Sequence, residues 1–201
     1  MIKRNLLVMG LAVLLSACGF QLRGTGTNEL AIKELDLSAR NAYGETVTQL
    51  RQVLEGSGVK VYSGAPYKLV LTDEQESQRI LSYAGAGRTG EYQVTTVLSY
   101  DIRGERDSSL ITDKLEVQKI FIHDGNNLVG SDQEASTARA ETRRELIQRM
   151  MLRLQQLTPA QLEELQQQAN DRAKAEADAL KAAQKAEAET PRQSPIEIPQ
   201  Q

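Results

Sequence analysis

From Glu91 to Arg103 apolar and polar positions alternate: Tyr92, Val94, Thr96, Leu98, Tyr100 and Ile102 share one side of an extended backbone, and Gln93, Thr95, Ser99, Asp101 and Arg103 share the other. A period of two over that length predicts a strand with one buried and one wet face. After a polar turn at 104–109, the run 110–122 alternates again, with Ile111, Leu115, Val117 and Phe121 set against Thr112, Lys114, Glu116 and Gln118. The two runs predict an antiparallel hairpin. Its strands are long for a small domain, and long amphipathic strands leave a sheet face or edge free to meet something else. Upstream, Leu30, Ile32, Leu35 and Leu37 suggest a short strand over 30–37 with an imperfect period. Val47, Leu50 and Leu54 then stand at helical spacing within 43–56, flanked by Val53, with Asn41 as the expected cap and Gly56 and Gly58 as the stop. "VKVY" at 59–62 and "YKLVL" at 67–71 are extended, divided by a turn at Gly64-Ala65-Pro66. The last ordered element is a helix from about Ser131 to Leu157. Ser131 and Glu134 form a capping box, Leu146, Ile147, Met150, Leu154 and Leu157 form an apolar stripe, and Pro159 is the stop. On such a stripe Met150 fills core.

Strand, helix, strands, long hairpin and helix in that order predict an α+β two-layer sandwich, with two helices packed on one face of a roughly four-stranded mixed sheet. The first strand, helix and second strand are expected to form a parallel pair with a right-handed crossover.

Composition changes this picture at both ends. Beyond Pro159 the chain is rich in Ala, Gln, Glu and Lys, and Leu162, Leu165 and Leu180 are its large apolar residues before the closing "TPRQSPIEIPQQ". These predict a solvated, frayed helix over 160–187 and disorder after it; the sharper alternative, a coiled coil, lacks a sustained apolar heptad. Trp is absent and Phe occurs twice, so the core is aliphatic and modest.

At the other end Lys3 and Arg4 precede an apolar run at 6–15 and the small residues Ser16 and Ala17. That is the layout of a secretory signal, too short for the roughly 20 residues of a membrane-spanning helix. Leu15-Ser16-Ala17-Cys18 resembles the bacterial lipoprotein cleavage box, and Cys18 is the chain's one cysteine. The resemblance implies that Cys18 receives a diacylglycerol thioether, becomes the first mature residue and is N-acylated, palmitate-type chains making a permanent anchor. A plain secretory signal with an incidental thiol is the other reading. The expected organisation is a lipoprotein signal peptide at 1–17, a folded domain at 18–158 and a polar tail at 159–201. Gly19, Phe20 and Gln21 are not signals of the kind that retain a lipoprotein in the inner membrane, so the expected place is the periplasmic side of an outer membrane.

Without Lys3 and Arg4 the chain carries 22 basic groups (24 less 2) against 27 acidic ones, which argues against a nucleic-acid partner. Recognisable chemistry is scarce. The one histidine, His123 in "FIHDGNN", reads as a surface turn residue, with no Ser or second His recognisably placed beside it. One acylated Cys and one His exclude a zinc site of the usual Cys and His kind. "GAGRTG" at 85–90 looks like a phosphate loop but precedes a strand instead of a helix. No enzyme activity and no cofactor are expected. The glycines of that loop permit a tight connection, with Arg88 at its tip. Arg88 is either a solubilising charge or, through its planar fork, a contact for phosphate or carboxylate.

Two stretches carry a family resemblance. "CGFQLRG" at 18–24 resembles the mature start of the LptE (RlpB) family of lipopolysaccharide-assembly lipoproteins, and "GRTGEYQVTTVLSYDIRG" at 87–104 resembles that family's Glu-Tyr-Gln strand and the extended run after it. The Arg-containing acidic helix near 139–157 and the polar tail also fit. The resemblance implies an accessory role: a plug inside the large outer-membrane β-barrel LptD, paired one to one with it, assisting its folding and contacting lipopolysaccharide. Arg88 is then the candidate for a lipopolysaccharide phosphate. The wet faces of the long strands suit a water-filled barrel lumen. The alternative is an envelope lipoprotein adaptor of another barrel-assembly or transport complex, without lipid recognition.

Overall fold

The computed structural model describes residues 30–42, 44–84 and 89–189; Cys18, Arg88 and the closing segment lie outside them. The elements are β1 (Glu34–Ala39), α1 (Glu45–Gly56), β2 (Lys60–Val61), β3 (Lys68–Ala84), β4 (Thr89–Arg103), a 3-10 turn (Glu105–Asp107), β5 (Ser109–Asp124), α2 (Leu128–Gln155) and α3 (Pro159–Glu189). The sheet runs β2-β1-β3-β4-β5. β1 is parallel to both β2 and β3, whereas β3, β4 and β5 are antiparallel neighbours. The α+β class holds, with five strands in place of the expected four.

The difference lies in β3, expected over 67–71 but running to Ala84. β1 pairs with β3 only as far as Ala39 and Leu71. Beyond that point β3 is an edge, and Glu74 to Tyr83 are exposed. With no face to bury, the segment has no apolar alternation to betray it; main-chain pairing to β4, continuous to Ala84 opposite Thr89, holds it extended.

One core cluster lies between the sheet and the helices. Leu35 and Leu37 of β1, Leu50 and Leu54 of α1, Leu69 and Leu71 of β3, Leu98, Tyr100 and Ile102 of β4, and Leu146, Met150 and Leu154 of α2 are all buried in it. A smaller cluster joins Val94, Phe121, Ala135 and Ala138, where alanines let the first half of α2 lie close to the sheet. Met150 fills core, as its place on the stripe predicts.

Two helix starts differ from expectation. α1 begins after Gly44, whose N–H donates to the Asn41 carbonyl, so the Asn41 side chain is not the cap. α2 begins three residues before Ser131, capped by Asn127 Oδ1, which accepts from Gly130 N at 3.1 Å. Ser131 is buried instead. Its hydroxyl donates to the Asp124 carbonyl at 3.0 Å and accepts from the Asp124 N–H at 2.7 Å, tying the helix to the end of β5.

α3 is exposed from Asn170 onward, as its composition predicts, but its first turns pack on the domain. Leu162 is completely buried in the main cluster, and Gln166 Oε1 accepts from the Glu105 N–H at 2.8 Å. Gly104 makes room for that glutamine: a Cβ there would overlap Gln166 Oε1.

Candidate functional site

The register divides the sheet into a face under the helices and an open face. Gln93, Thr95, Val97 and Ser99 stand opposite Ile120, Gln118, Glu116 and Lys114 on the open side. There the central polar groups pair with one another. Arg79 Nε donates to Gln93 Oε1 at 2.8 Å, Gln93 Nε2 donates to Gln118 Oε1, and Gln118 Nε2 donates to Glu116 Oε1 at 2.6 Å. This row covers Gln93 so well that it is only 5% exposed.

Further along β4, the Asp101 carboxylate accepts from Arg103 Nε at 2.7 Å, Ser109 Oγ at 2.6 Å and Thr112 Oγ1 at 3.1 Å. Burial pushes that carboxyl up, but the donors from Ser109, Arg103 and Thr112 outweigh it and hold it below the ordinary range. On the helix side the Arg153 guanidinium, 2.7 Å from Asp113 Oδ2, holds the Asp113 carboxyl low and joins the last turn of α2 to β5. Among the described residues no buried side-chain nitrogen or oxygen lacks a partner. Such a face is comfortable against water or a polar wall and demands no ligand.

The end of the sheet where β3 gives way to β4 is different. Ile120 and Ile122 are 61% and 56% exposed on the open face, Ile80, Leu81 and Tyr83 are exposed on β3, and Leu128 and Val129 are exposed at the start of α2. Ile80 and Tyr83 pair with Tyr92 and Gly90 and so lie on the helix side of the sheet, which leaves Ile120 and Ile122 as an exposed apolar pair at the end of the open face. On the helix side of this end Tyr83, Thr89, Gly90, Tyr92, His123 and Asn126 line a cup of about 340 Å³. His123, expected in a turn, is in fact the penultimate residue of β5, its ring centroid 5.0 Å from that of Tyr92. Gly90 is required where two strands crowd, because a Cβ there would lie 2.6 Å from the Ser82 carbonyl oxygen.

Of the two residues singled out from sequence, Cys18 and Arg88 both lie outside the described residues. The segment holding Arg88 joins antiparallel neighbours, since β3 ends at Ala84 and β4 begins at Thr89. A strand therefore stands on each side of the glycine loop, and no helix follows it to receive a phosphate. The apolar end was missed, although its signal is in the sequence: positions 120 and 122 fall on the polar side of the 110–122 alternation and both hold isoleucine.

The chain is a two-layer α+β domain with a paired polar row on its open sheet face and an exposed apolar pair at one end. Its fold is that of lipoproteins already solved. The solution structure titled uncharacterized lipoprotein B from Nitrosomonas europaea superposes with a TM-score of 0.59 at 18% identity, covering 73% of this chain and 96% of that one. The crystal structure titled rare lipoprotein B from Shewanella oneidensis gives 0.51 at 21% identity, covering 71% and 98%. In sequence, the LPS-assembly lipoprotein LptE of Pectobacterium atrosepticum is 30% identical over 155 residues, 74% of this chain and 83% of that protein. The family profile described as LptE, Lipopolysaccharide-assembly, matches residues 32–154. The chain belongs to the LptE family, whose members are lipopolysaccharide-assembly lipoproteins of the cell envelope and not enzymes. The matched span stops short of α3.

Proposed function

We propose that this chain is an outer-membrane lipoprotein, anchored through acylated Cys18, that plugs the lumen of the LptD β-barrel and assists lipopolysaccharide assembly at the cell surface. The observation that carries the reading is the open sheet face, whose polar groups are already paired and whose far end is apolar, in a chain of the LptE family. A barrel lumen is polar and water-filled. The paired row from Arg79 to Glu116 can line it without leaving a buried donor stranded, while Ile120 and Ile122 give the barrel wall something apolar to hold. Arg88, two residues before Gly90, is the proposed contact for a lipopolysaccharide phosphate.

Three measurements test the parts. A photo-crosslinking residue at Ile122 should capture the barrel in cells, and one at Leu180, on the solvated part of α3, should not; capture from Leu180 alone would sink the lumen placement. Labelled palmitate should enter the wild type and not Cys18→Ser. Arg88→Ala should weaken lipopolysaccharide binding at low salt, and an unchanged affinity removes that residue from the account.

A further inference from the structure

Between α1 and α2, on the side away from the sheet, runs an open groove of about 640 Å³. Its floor is apolar: Ile147 and Met151 are buried beneath, while Val53 and Leu152 are 40% and 58% exposed along it. Its rim carries Gln49, Gln52, Gln148 and Gln155, and no side-chain amide of these four has a hydrogen bond among the described residues. An apolar trough with free amides along its lips suits an extended peptide, apolar side chains down and main chain to the glutamines.

The chain itself enters the domain at the end of this groove. Lys33 O accepts from Lys60 N at 2.8 Å, and β1 runs parallel to β2. Residues 30–32 therefore lie alongside the α1–β2 turn, where Ser57 forms one end of the groove. Leu30 and Ile32 are buried there. Preceding Leu30, the segment 19–29 holds two large apolar residues, Phe20 and Leu22, spaced so that both fall on one side of an extended chain. Leu22 is eight residues and Phe20 ten residues before Leu30, a reach of at most about 29 and 36 Å at ~3.6 Å per residue. The groove, following α2 from Arg144 to Gln155, is about 17 Å long at 1.5 Å per residue.

We infer that Phe20 and Leu22 of the N-terminal segment dock in the groove between α1 and α2. The C-terminal tail is a poorer occupant, because it starts at the end of α3, about 30 Å beyond Ala169, the last half-buried residue of that helix. Docking sets Cys18 within four residues of the groove and so holds the anchor against the helical layer, with the apolar end of the sheet turned away from it. That consequence rests on the lipoprotein reading of Cys18; the docking does not.

The test uses the full-length lipoprotein purified in detergent, with palmitate incorporation confirming separately that the Cys18 thiol is consumed. Leu22→Cys with Leu152→Cys should form a disulfide within one chain under mild oxidation, and Leu22→Cys with Tyr83→Cys, at the far end of the sheet, should not. Equal yields in the two pairs overturn the inference, as does a disulfide that links two chains, which would mean a second copy fills the groove. Independently, alkylation of Leu152→Cys should become about tenfold faster when Phe20 and Leu22 are both changed to Ser, the change in protection expected for losing roughly 1.4 kcal/mol of docking. An unchanged rate overturns it.

Discussion

Leu162→Ala should destabilise the domain by about 3 kcal/mol, even though Leu162 lies beyond Pro159 in a segment that composition alone assigns to a solvated tail. Its side chain is completely buried in the cluster that holds Ile102 and Leu154, against which Tyr67, Leu110 and Leu157 pack half-buried. Truncation there removes the transfer energy of the lost atoms and leaves a cavity in the core, a combination that costs roughly 2–5 kcal/mol. For a domain of this size each kcal/mol moves the melting temperature by roughly 2–4 °C, so the expected fall is about 6–12 °C. Calorimetry or thermal circular dichroism of the purified protein reads it directly. Leu180→Ala is the control, since Leu180 is 63% exposed on the same helix and should stay within about 0.5 kcal/mol of wild type. If Leu162→Ala also falls within 0.5 kcal/mol, α3 is not part of the domain and the seating of Gln166 beside Gly104 has no energetic meaning.

Asp101 and Asp113 are both held below the ordinary carboxylate range, so each contributes stability that is present above the unfolded-state value near pH 4 and is lost as pH falls through the folded-state value. Denaturant unfolding should show stability dropping below about pH 4, and Asp101→Asn should flatten that slope; an unchanged slope would mean the Asp101 cluster does not hold in solution. Gly90→Ala should cost about 1–3 kcal/mol, because the added Cβ meets the Ser82 main chain, which cannot rotate aside, and loss of amide protection in the β3–β4 pair would report it. Ile120→Thr with Ile122→Thr, both on exposed positions, should leave the melting temperature nearly unchanged while reducing the barrel recovered with the protein; undiminished recovery would remove the apolar end from the interface.

The two-layer architecture was legible wherever one face of an element is buried. β4 declares itself because Tyr92 to Ile102 alternate against the helices, and α2 because Leu146 to Leu154 stripe it. The distal half of β3 was illegible for the opposite reason: Glu74 to Tyr83 are exposed, so their identities answer to solvent and not to a core. Ser131 misled as a cap because a serine that bonds the end of a preceding strand and a serine that starts a helix leave the same trace in sequence. Leu162 was lost among alanines and glutamines because one buried leucine, with Leu165, Gln166 and Ala169 half-buried, is enough to seat the first turns of a helix whose remainder stays in water. At the site, the polar pairing of Gln93 and Asp101 depends on partners 25 and 8 residues away in Gln118 and Ser109, which no local pattern records.

The full-length tagged protein, purified from outer membranes in mild detergent, should carry a large LptD-type barrel at one-to-one stoichiometry by mass spectrometry. Recovery of the lipoprotein alone, or with a different transport complex, would contradict the plug reading.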